Sequence, residues 1–418
     1  MKVVSLHRLL NMLNKMKIIN RPIYTDRIIP FIGKGIIKVL TGQRRVGKSC
    51  ILQQLMKDIQ TQSPDANIIF INLEYEEFRQ IKTETDLFDY LKDKFIENKD
   101  NFLFIDEVQD IVGFEHVLRS LQSKNTCDIF VTGSNAKMLS SELSTYLAGR
   151  YIEFHIHSLS YSEFLLFHKQ DDTNQSLMLY LTYGGLPYLS MLSLTDEYVF
   201  EYLRNVYSTI LLRDVVQREN IRNVDFLETL LRYVADNVGS LFSASNISKY
   251  LKSQRTEINT NQVISYLRSL SNAFIINKVG RIDINGLKKF EIGEKYFFED
   301  LGLRNSQIGF SLQRDIHKLI ENAVYLHLRG LQYDVFVGKK DNLEIDFVGI
   351  KQGKKVYIQA TYLLSHENTQ DREFGNLSLI QDNYPKYVVS LDEFYRESNN
   401  QGIKHLHLRE FLRKTVLD

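Results

Sequence analysis

Eight consecutive residues, Gly42-Gln43-Arg44-Arg45-Val46-Gly47-Lys48-Ser49, set two glycines, a lysine and a hydroxyl at the spacing that grips a chain of phosphates. Gly42 and Gly47 let the backbone curl around an anion. The amides from Gln43, Arg44, Arg45 and Val46 on to Cys50 then point at it from the start of a helix. Lys48 is placed to reach the outer phosphates, and the Ser49 hydroxyl to bind Mg2+. Further along, the apolar run NFLFIDEVQD delivers Asp106 and Glu107. Asp106 suits a Mg2+ ligand acting through water, and Glu107 suits the group that polarises an attacking water. The run CDIFVTGSNAK ends in Ser134 and Asn135, either of which could sense a terminal phosphate or position the water. Gly-Ser-Asn is equally ordinary turn chemistry. Arg150 has two readings: a cation for transition-state charge, within the subunit or across an interface, or a surface salt bridge.

Such residues act only if strands and helices converge on them. Ile36–Leu40 reads as a short apolar strand before the loop, and an apolar-periodic helix runs on from Cys50. Asn67–Phe78, the NFLFID run and the CDIFVTG run supply three more strands. This alternation predicts an α/β fold with a parallel sheet, whose ligands collect at the carboxyl ends of the strands. Cys50, just inside the helix, reads as a small core residue, with oxidation sensitivity as the minor reading. His155 and His157 share a strand face, but no nearby Cys or carboxylate in the sequence completes a metal site, and the same holds for His405 and His407.

Composition narrows the class. The 418 residues exceed one ordinary domain, and 44% hydrophobic with 25% charged residues is a globular balance. Lys+Arg at 52 against Asp+Glu at 51 leaves +1, so no global field recruits nucleic acid or an anionic membrane, and any DNA contact needs a local patch. Two cysteines, Cys50 and Cys127, form no disulfide framework. With no secretory signal and no membrane-length apolar run, the expectation is a cytoplasmic protein.

Beyond residue 160 the pattern turns helical. LSYSEFLLF looks like a capped helix start, and SLMLYLTYGGLPYLSML breaks at Gly-Gly-Leu-Pro. The helical patterns VDFLETLLRYVADNVG, FSASNISKYLKS and TNQVISYLRSLSNAFIINKVG, followed by GRIDINGLKKFEI, have the order of a winged helix. Arg255, Arg268, Lys288 and Lys289 offer it some positive charge but no dense stripe, so DNA contact and plain packing both stand. The expected divisions are an ATPase-type core over 1–160, a helical lid and connector over 161–235, a winged helix over 236–293 and a final α/β domain over 294–418.

This ordered series of motifs resembles a large bacterial and archaeal family of AAA+ ATPases, distantly related to the signal-transducing NTPases. The residues that carry the resemblance include INRPIYTDRIIPFI, KVLTGQRRVGKS, FLFIDEVQD, VTGSNAKMLSSELSTYLAGRY, YLTYGGLPYL, ILLRDVVQREN, KYFFEDLGLRNSQIGF, ENAVYLHL, EIDFV and YIQATYLL. The resemblance implies ATP as ligand, Mg2+-dependent hydrolysis through Lys48, Ser49, Asp106 and Glu107, adenine near Tyr24–Asp26, and a C-terminal domain of restriction-endonuclease-like fold. A homo-oligomer and a DNA or protein partner are both left open.

A metal-dependent nuclease of that fold needs a helix-borne Glu, an Asp on one hairpin strand, and an acid-x-Lys on the next. Here Glu321 and Asp346 fill the first two places, while Gln359 and Thr361 stand where the acid and lysine belong. Gln offers a neutral oxygen to a hard cation that prefers charged ones, and Thr offers no cation. The expectation is a retained fold with a degraded site. Three functional readings follow: an ATPase driving conformational change in the later modules, a nucleotide switch or adaptor for a protein partner, and an ATP-coupled nuclease.

Overall fold

The computed structural model describes residues 18–136, 147, 149–241, 243–253, 258–284, 289–341, 343–364, 367–393, 399–400 and 402–418. Arg255, Lys288 and residues 137–146 and 148, most of the segment before Arg150, lie outside these. The chain forms two compact units, one extending to Ile156 and including Asn272–Phe274, the other made of His157–Ser271 and Ile275–Asp418.

The first unit holds a five-stranded parallel sheet in the order β2-β3-β4-β1-β5. Its strands are β1 (Ile37–Thr41), β2 (Asn67–Asn72), β3 (Asn101–Asp106), β4 (Asp128–Gly133) and β5 (Tyr151–His155). All of β1 is buried, as the near-continuous apolar strands of a sheet covered on both faces should be. The one cation inside it, Lys38, pairs with Asp128 and lies 4.2 Å from the centre of the Phe130 ring. Helices α1 (Pro22–Ile28), α2 (Lys48–Gln62), α3 (Glu84–Leu91) and α4 (Phe114–Ser123) accompany the sheet. The second strand is shorter than its apolar pattern suggests. The Asn72 side chain accepts the Glu74 amide at 2.9 Å, a local turn that ends the strand, and Glu76–Phe78 becomes a short 3-10 segment.

The second unit starts with α5 (Tyr161–His168), where Ser160 and Glu163 form the reciprocal capping box that the sequence announces. Next come α6 (Asn174–Tyr183), α7 (Asp196–Thr209), which continues as a π-helix over Ile210–Gln217, and α8 (Val224–Asp236), α9 (Ala244–Ser253) and α10 (Thr260–Asn272). The remaining strands make one eight-stranded mixed sheet, in the order β12-β13-β11-β10-β9-β8-β6-β7. These are β6 (Ile276–Asp283), β7 (Lys289–Phe298), β8 (Asp334–Lys340), β9 (Leu343–Lys351), β10 (Lys354–Ala360), β11 (Lys386–Ser390), β12 (Asn399–Asn400) and β13 (Ile403–His407). Helices α11 (Leu301–Ile308), α12 (Leu312–Gly330), α13 (Glu367–Ser378) and α14 (Leu408–Arg413) complete the unit.

The hairpin expected as a wing therefore has a different setting. Strand β6 pairs with β7 on one side and, through Arg281–Asp283, with β8 on the other, so both belong to the large sheet. Strand β7 also runs through residues 293 and 294, where a domain boundary was expected. Hydrophobic pattern finds strands but not their neighbours, and the neighbours here come from sequence that lies later.

The Gly-Gly-Leu-Pro break has a concrete cause. Asp300 caps α11 by accepting the Leu303 amide at 2.9 Å, and its other oxygen accepts the Gly185 amide at 2.8 Å. The chain at Tyr183–Gly185 thus runs against the start of α11 with no room for side chains. A Cβ on Gly302 would lie 1.9 Å from the Tyr183 carbonyl oxygen, and one on Gly185 would lie 2.4 Å from that of Leu159. Behind this contact Arg304, fully buried, donates to Asp315 at 3.0 Å and to the Ala235 carbonyl at 2.9 Å. Gly302→Ala is expected to lower unfolding stability by about 1–3 kcal/mol through forced backbone displacement. Gly330→Ala, with nothing within 4 Å, serves as the control. Urea midpoints that coincide for the two variants would rule out this close approach.

Candidate nucleotide site

The P-loop joins the carboxyl end of β1 to α2. Gly42, at φ 140°, could carry no side chain, since a Cβ would fall 2.2 Å from the Ile156 carbonyl oxygen. Arg45 and Gly47 also have positive φ, at 73° and 96°, and together these turns wrap the loop. Lys48 is buried and folds back over its own loop, donating to the carbonyls of Gly42 at 2.9 Å and Gln43 at 3.0 Å. Arg21, just ahead of α1, donates to the Val46 carbonyl at 2.9 Å and lies 4.6 Å from the Tyr24 ring centre. The segment around Tyr24–Asp26 is thereby tied to the loop, with Tyr24 and Thr25 buried.

The acid pair sits where the register of the parallel strands puts it. Asn72 pairs with Asp106, and Leu40 with Thr132, so the strand ends line up along one edge. The Thr132 hydroxyl donates to Asp106 at 2.5 Å and accepts the Glu107 amide at 2.8 Å, joining both acids through one side chain. Asn72 donates to the other Asp106 oxygen at 3.1 Å, and Ser49 also hydrogen-bonds Asp106. Glu107 accepts from Ser134 at 3.0 Å and Gln109 at 2.5 Å, with Lys48 at 3.9 Å and Arg44 at 3.8 Å. Arg44 reaches on to Glu74 at 2.9 Å.

Electrostatics separates the two carboxyls. Burial pushes Asp106 above the ordinary aspartate value, and the adjacent Glu107 charge adds to this, against the Thr132 and Ser49 hydroxyls and Lys48. Burial acts the same way on Glu107, but the Lys48 and Arg44 cations, with Gln109 and Ser134, outweigh it and hold that carboxyl at about 2. Glu107 is thus an anion at neutral pH, whereas buried Asp106 would be eased by a cation. Glu107 also has φ 58°, a left-handed conformation that costs a non-glycine residue about 1–3 kcal/mol and persists only where surrounding structure enforces it.

Of the other expected residues, Asn135 is buried at the end of the fourth strand run, and Cys50 is half-buried with its thiol pushed up by burial. Arg150, read as either a transition-state cation or a surface pair, lies away from the loop. It precedes β5, whose first residue pairs with Ile37, the first of β1, so it occupies the amino edge of the sheet. The P-loop lies beyond the opposite end of the five-residue β1, roughly 16 Å away along the strand. There Arg150 donates to Ser123 at 2.9 Å. Sequence reading had no means of foreseeing the Thr132 bridge, the Arg44 side chain on Glu107 or the Arg21 tie. A threonine ending one of the apolar strands was the available signal for the first.

In the second unit Asp346 and Gln359 meet directly, the Gln359 oxygen accepting the Asp346 amide at 2.7 Å. Glu321 joins them through a shared cation, Lys295 on β7, at 3.4 Å from Glu321 and 3.6 Å from Asp346. Thr361 is set by its backbone, donating to the Val389 carbonyl at 3.0 Å. His157 meets a carboxylate that lies far off in the sequence, Glu299, at 2.5 Å, whereas His405 faces Ser390 at 2.8 Å and His407 caps α14.

No helix among the described residues is long and apolar enough to cross a membrane. Comparison with known proteins matches residues 34–165 to the AAA domain and residues 174–314 to a domain of unknown function, DUF8612. The chain is 34% identical over 403 residues to an uncharacterized protein of Haemophilus influenzae, covering 94% of this chain and 98% of that one. It is 30% identical to an uncharacterized protein of Methanocaldococcus jannaschii, covering 95% and 90%. Among solved structures, the AMPPCP-bound DnaA of Aquifex aeolicus aligns with TM-score 0.30 and 15% identity over 59% of this chain and 85% of that one. The Aeropyrum pernix ORC1 protein in complex with DNA aligns with TM-score 0.32 and 10% identity over 69% and 92%. Neither structural score carries the assignment, which rests on the sequence matches and the sheet order. The chain belongs to the family of the Haemophilus and Methanocaldococcus proteins, and its first unit is an AAA domain of P-loop fold.

Proposed function

We propose that the chain binds ATP with Mg2+ at the P-loop and hydrolyses it, and that its nucleotide state governs the modules of the second unit. One observation carries the reading. Glu107 is held ionised, strained and hydrogen-bonded to Ser134, one residue from a buried Asp106 whose chemistry calls for a cation.

Lys48 exchanges the carbonyls of Gly42 and Gln43 for phosphate oxygens, while the loop amides bind the rest of the anion. Ser49 and Asp106 would hold Mg2+, which supplies charge neutralisation on the phosphates. Glu107 accepts a hydrogen bond from the attacking water and orients it, which requires the carboxylate that Lys48 and Arg44 maintain. Thr132 fixes the spacing between the metal-side and water-side acids. Arg150, at the far sheet edge, is left either a role across an interface between subunits or the plain surface contact it makes with Ser123.

For the second unit we take the helices α8 to α10 as a winged-helix-like module that could contact DNA. The order α12, three antiparallel strands β8 to β10, α13, and β11 parallel to β10 supports a restriction-endonuclease-like core without activity.

Steady-state hydrolysis with Mg2+, with and without duplex and single-stranded DNA, tests the proposal. Turnover abolished by EDTA is expected, and no turnover under any condition would refute hydrolysis. DNA stimulation with uncut DNA favours a nucleic-acid-dependent ATPase, whereas indifference to DNA favours a protein partner. Glu107→Gln should keep ATP affinity and lose turnover, and wild-type rates in that variant would remove Glu107 from its role. Lys48→Ala should abolish tight nucleotide binding, as read by fluorescent-nucleotide titration. Thr132→Val, matched in shape, should reduce turnover by about 10–100-fold with ATP affinity retained. An unchanged rate would show that the bridge is idle.

A further inference from the structure

Lys295 on β7 is 3% exposed and meets carboxylates from two other elements. Its ammonium lies 3.0 Å from Glu344 and 3.6 Å from Asp346 on β9, and 3.4 Å from Glu321 on α12. An ammonium has three N–H donors, and here three carboxylates surround it. These include Glu321 and Asp346, the acids that would hold a metal in a hydrolytic nuclease of this hairpin. The surroundings use up further ligand atoms. The second Asp346 oxygen accepts the Ala360 amide at 2.9 Å, and the Gln359 amide group donates to Glu373 at 2.9 Å. Behind Glu321 the chain closes at Gly239, where a Cβ would lie 2.6 Å from a Glu321 oxygen.

We propose that Lys295 is a tethered cation occupying the position of the divalent ion, so that this cleft is an element of the second unit that holds no metal. The inference rests on reading that unit as a retained nuclease-like fold. A divalent ion entering the cleft would have to share the same oxygens with a buried positive charge, and the like-charge repulsion at such distances opposes it. The tether makes the replacement permanent, because the lysine is delivered by the same sheet that carries Asp346. Loss of catalysis is thus written twice, in the missing acid and lysine at Gln359 and Thr361 and in the ion's place being taken. Three acids on two elements are left in place because Lys295, rather than a metal, holds them together.

The test is thermal unfolding of the full chain without nucleotide, over a Mn2+ and Mg2+ titration into the millimolar range, for wild type, Lys295→Gln and Lys295→Gln/Asp346→Asn. Wild type is expected to show no metal-dependent shift beyond that of Asp346→Asn, since any ion taken at Asp106 is common to both. Lys295→Gln should melt lower and regain several degrees with metal, and the double variant should lose that response. A wild-type shift that Asp346→Asn removes would overturn the proposal while leaving the nuclease-like reading intact, and this arm stands even if Lys295→Gln does not fold. A folded Lys295→Gln without any metal response would overturn the proposal but not the nuclease-like reading, which rests on the strand order.

Discussion

Two carboxylates side by side on a buried sheet edge cannot both keep their charge without compensation, and the first unit is organised around that constraint. Thr132 and Asn72 reach Asp106 from the neighbouring strands, while Lys48, Arg44, Ser134 and Gln109 converge on Glu107. The parallel register delivers Asn72 and Thr132, because strand ends that pair in order bring their last side chains to one line, and the loops that follow supply the rest. The P-loop cations serve the acids as well as the phosphates, so the loop and the acid pair form one electrostatic object. The unusual backbone at Glu107 is stable only because so many partners hold its side chain.

The same physics recurs in the second unit with another outcome. Buried charges there find partners within the protein: Arg304 with Asp315, and Lys295 among Glu344, Asp346 and Glu321, the last pushed up to about 8 by burial. Burial works against the Lys295 ammonium, yet the three acids raise its pKa above the usual lysine value. Removing one partner of such a set leaves an uncompensated charge, which is costlier than the pair is stabilising.

What could be read from the sequence followed a simple division. Features encoded in consecutive residues were legible: the P-loop glycines, the apolar strands, the acids at the end of β3 and the capping box at Ser160. Features that depend on which strand lies beside which were not. Arg150 is close in sequence to a strand of the nucleotide sheet, but sequence does not say which edge it faces. Lys295 sits just past the segment that reads as a wing, in the KYFFED run assigned to the final domain, and only the pairing of β6 with β8 brings its hairpin into the sheet where the acids are. The Gly-Gly-Leu-Pro break was visible as a break, but its cause, Asp300, is 115 residues away from Gly185.

The strand order of the large sheet has a consequence for how the chain is made. From the edge strand β7 inward, the order β7-β6-β8-β9-β10-β11-β13 follows the chain apart from the first hairpin. Apart from the two-residue edge strand β12, each strand that follows β6 off the ribosome therefore finds its docking edge already synthesised, and the sheet can grow by successive addition. Among the described strands, β12 alone waits for a later one, β13, which lies between it and β11. A ribosome pausing within this region would hold a partial sheet with one open edge, the state most prone to pairing with another nascent chain.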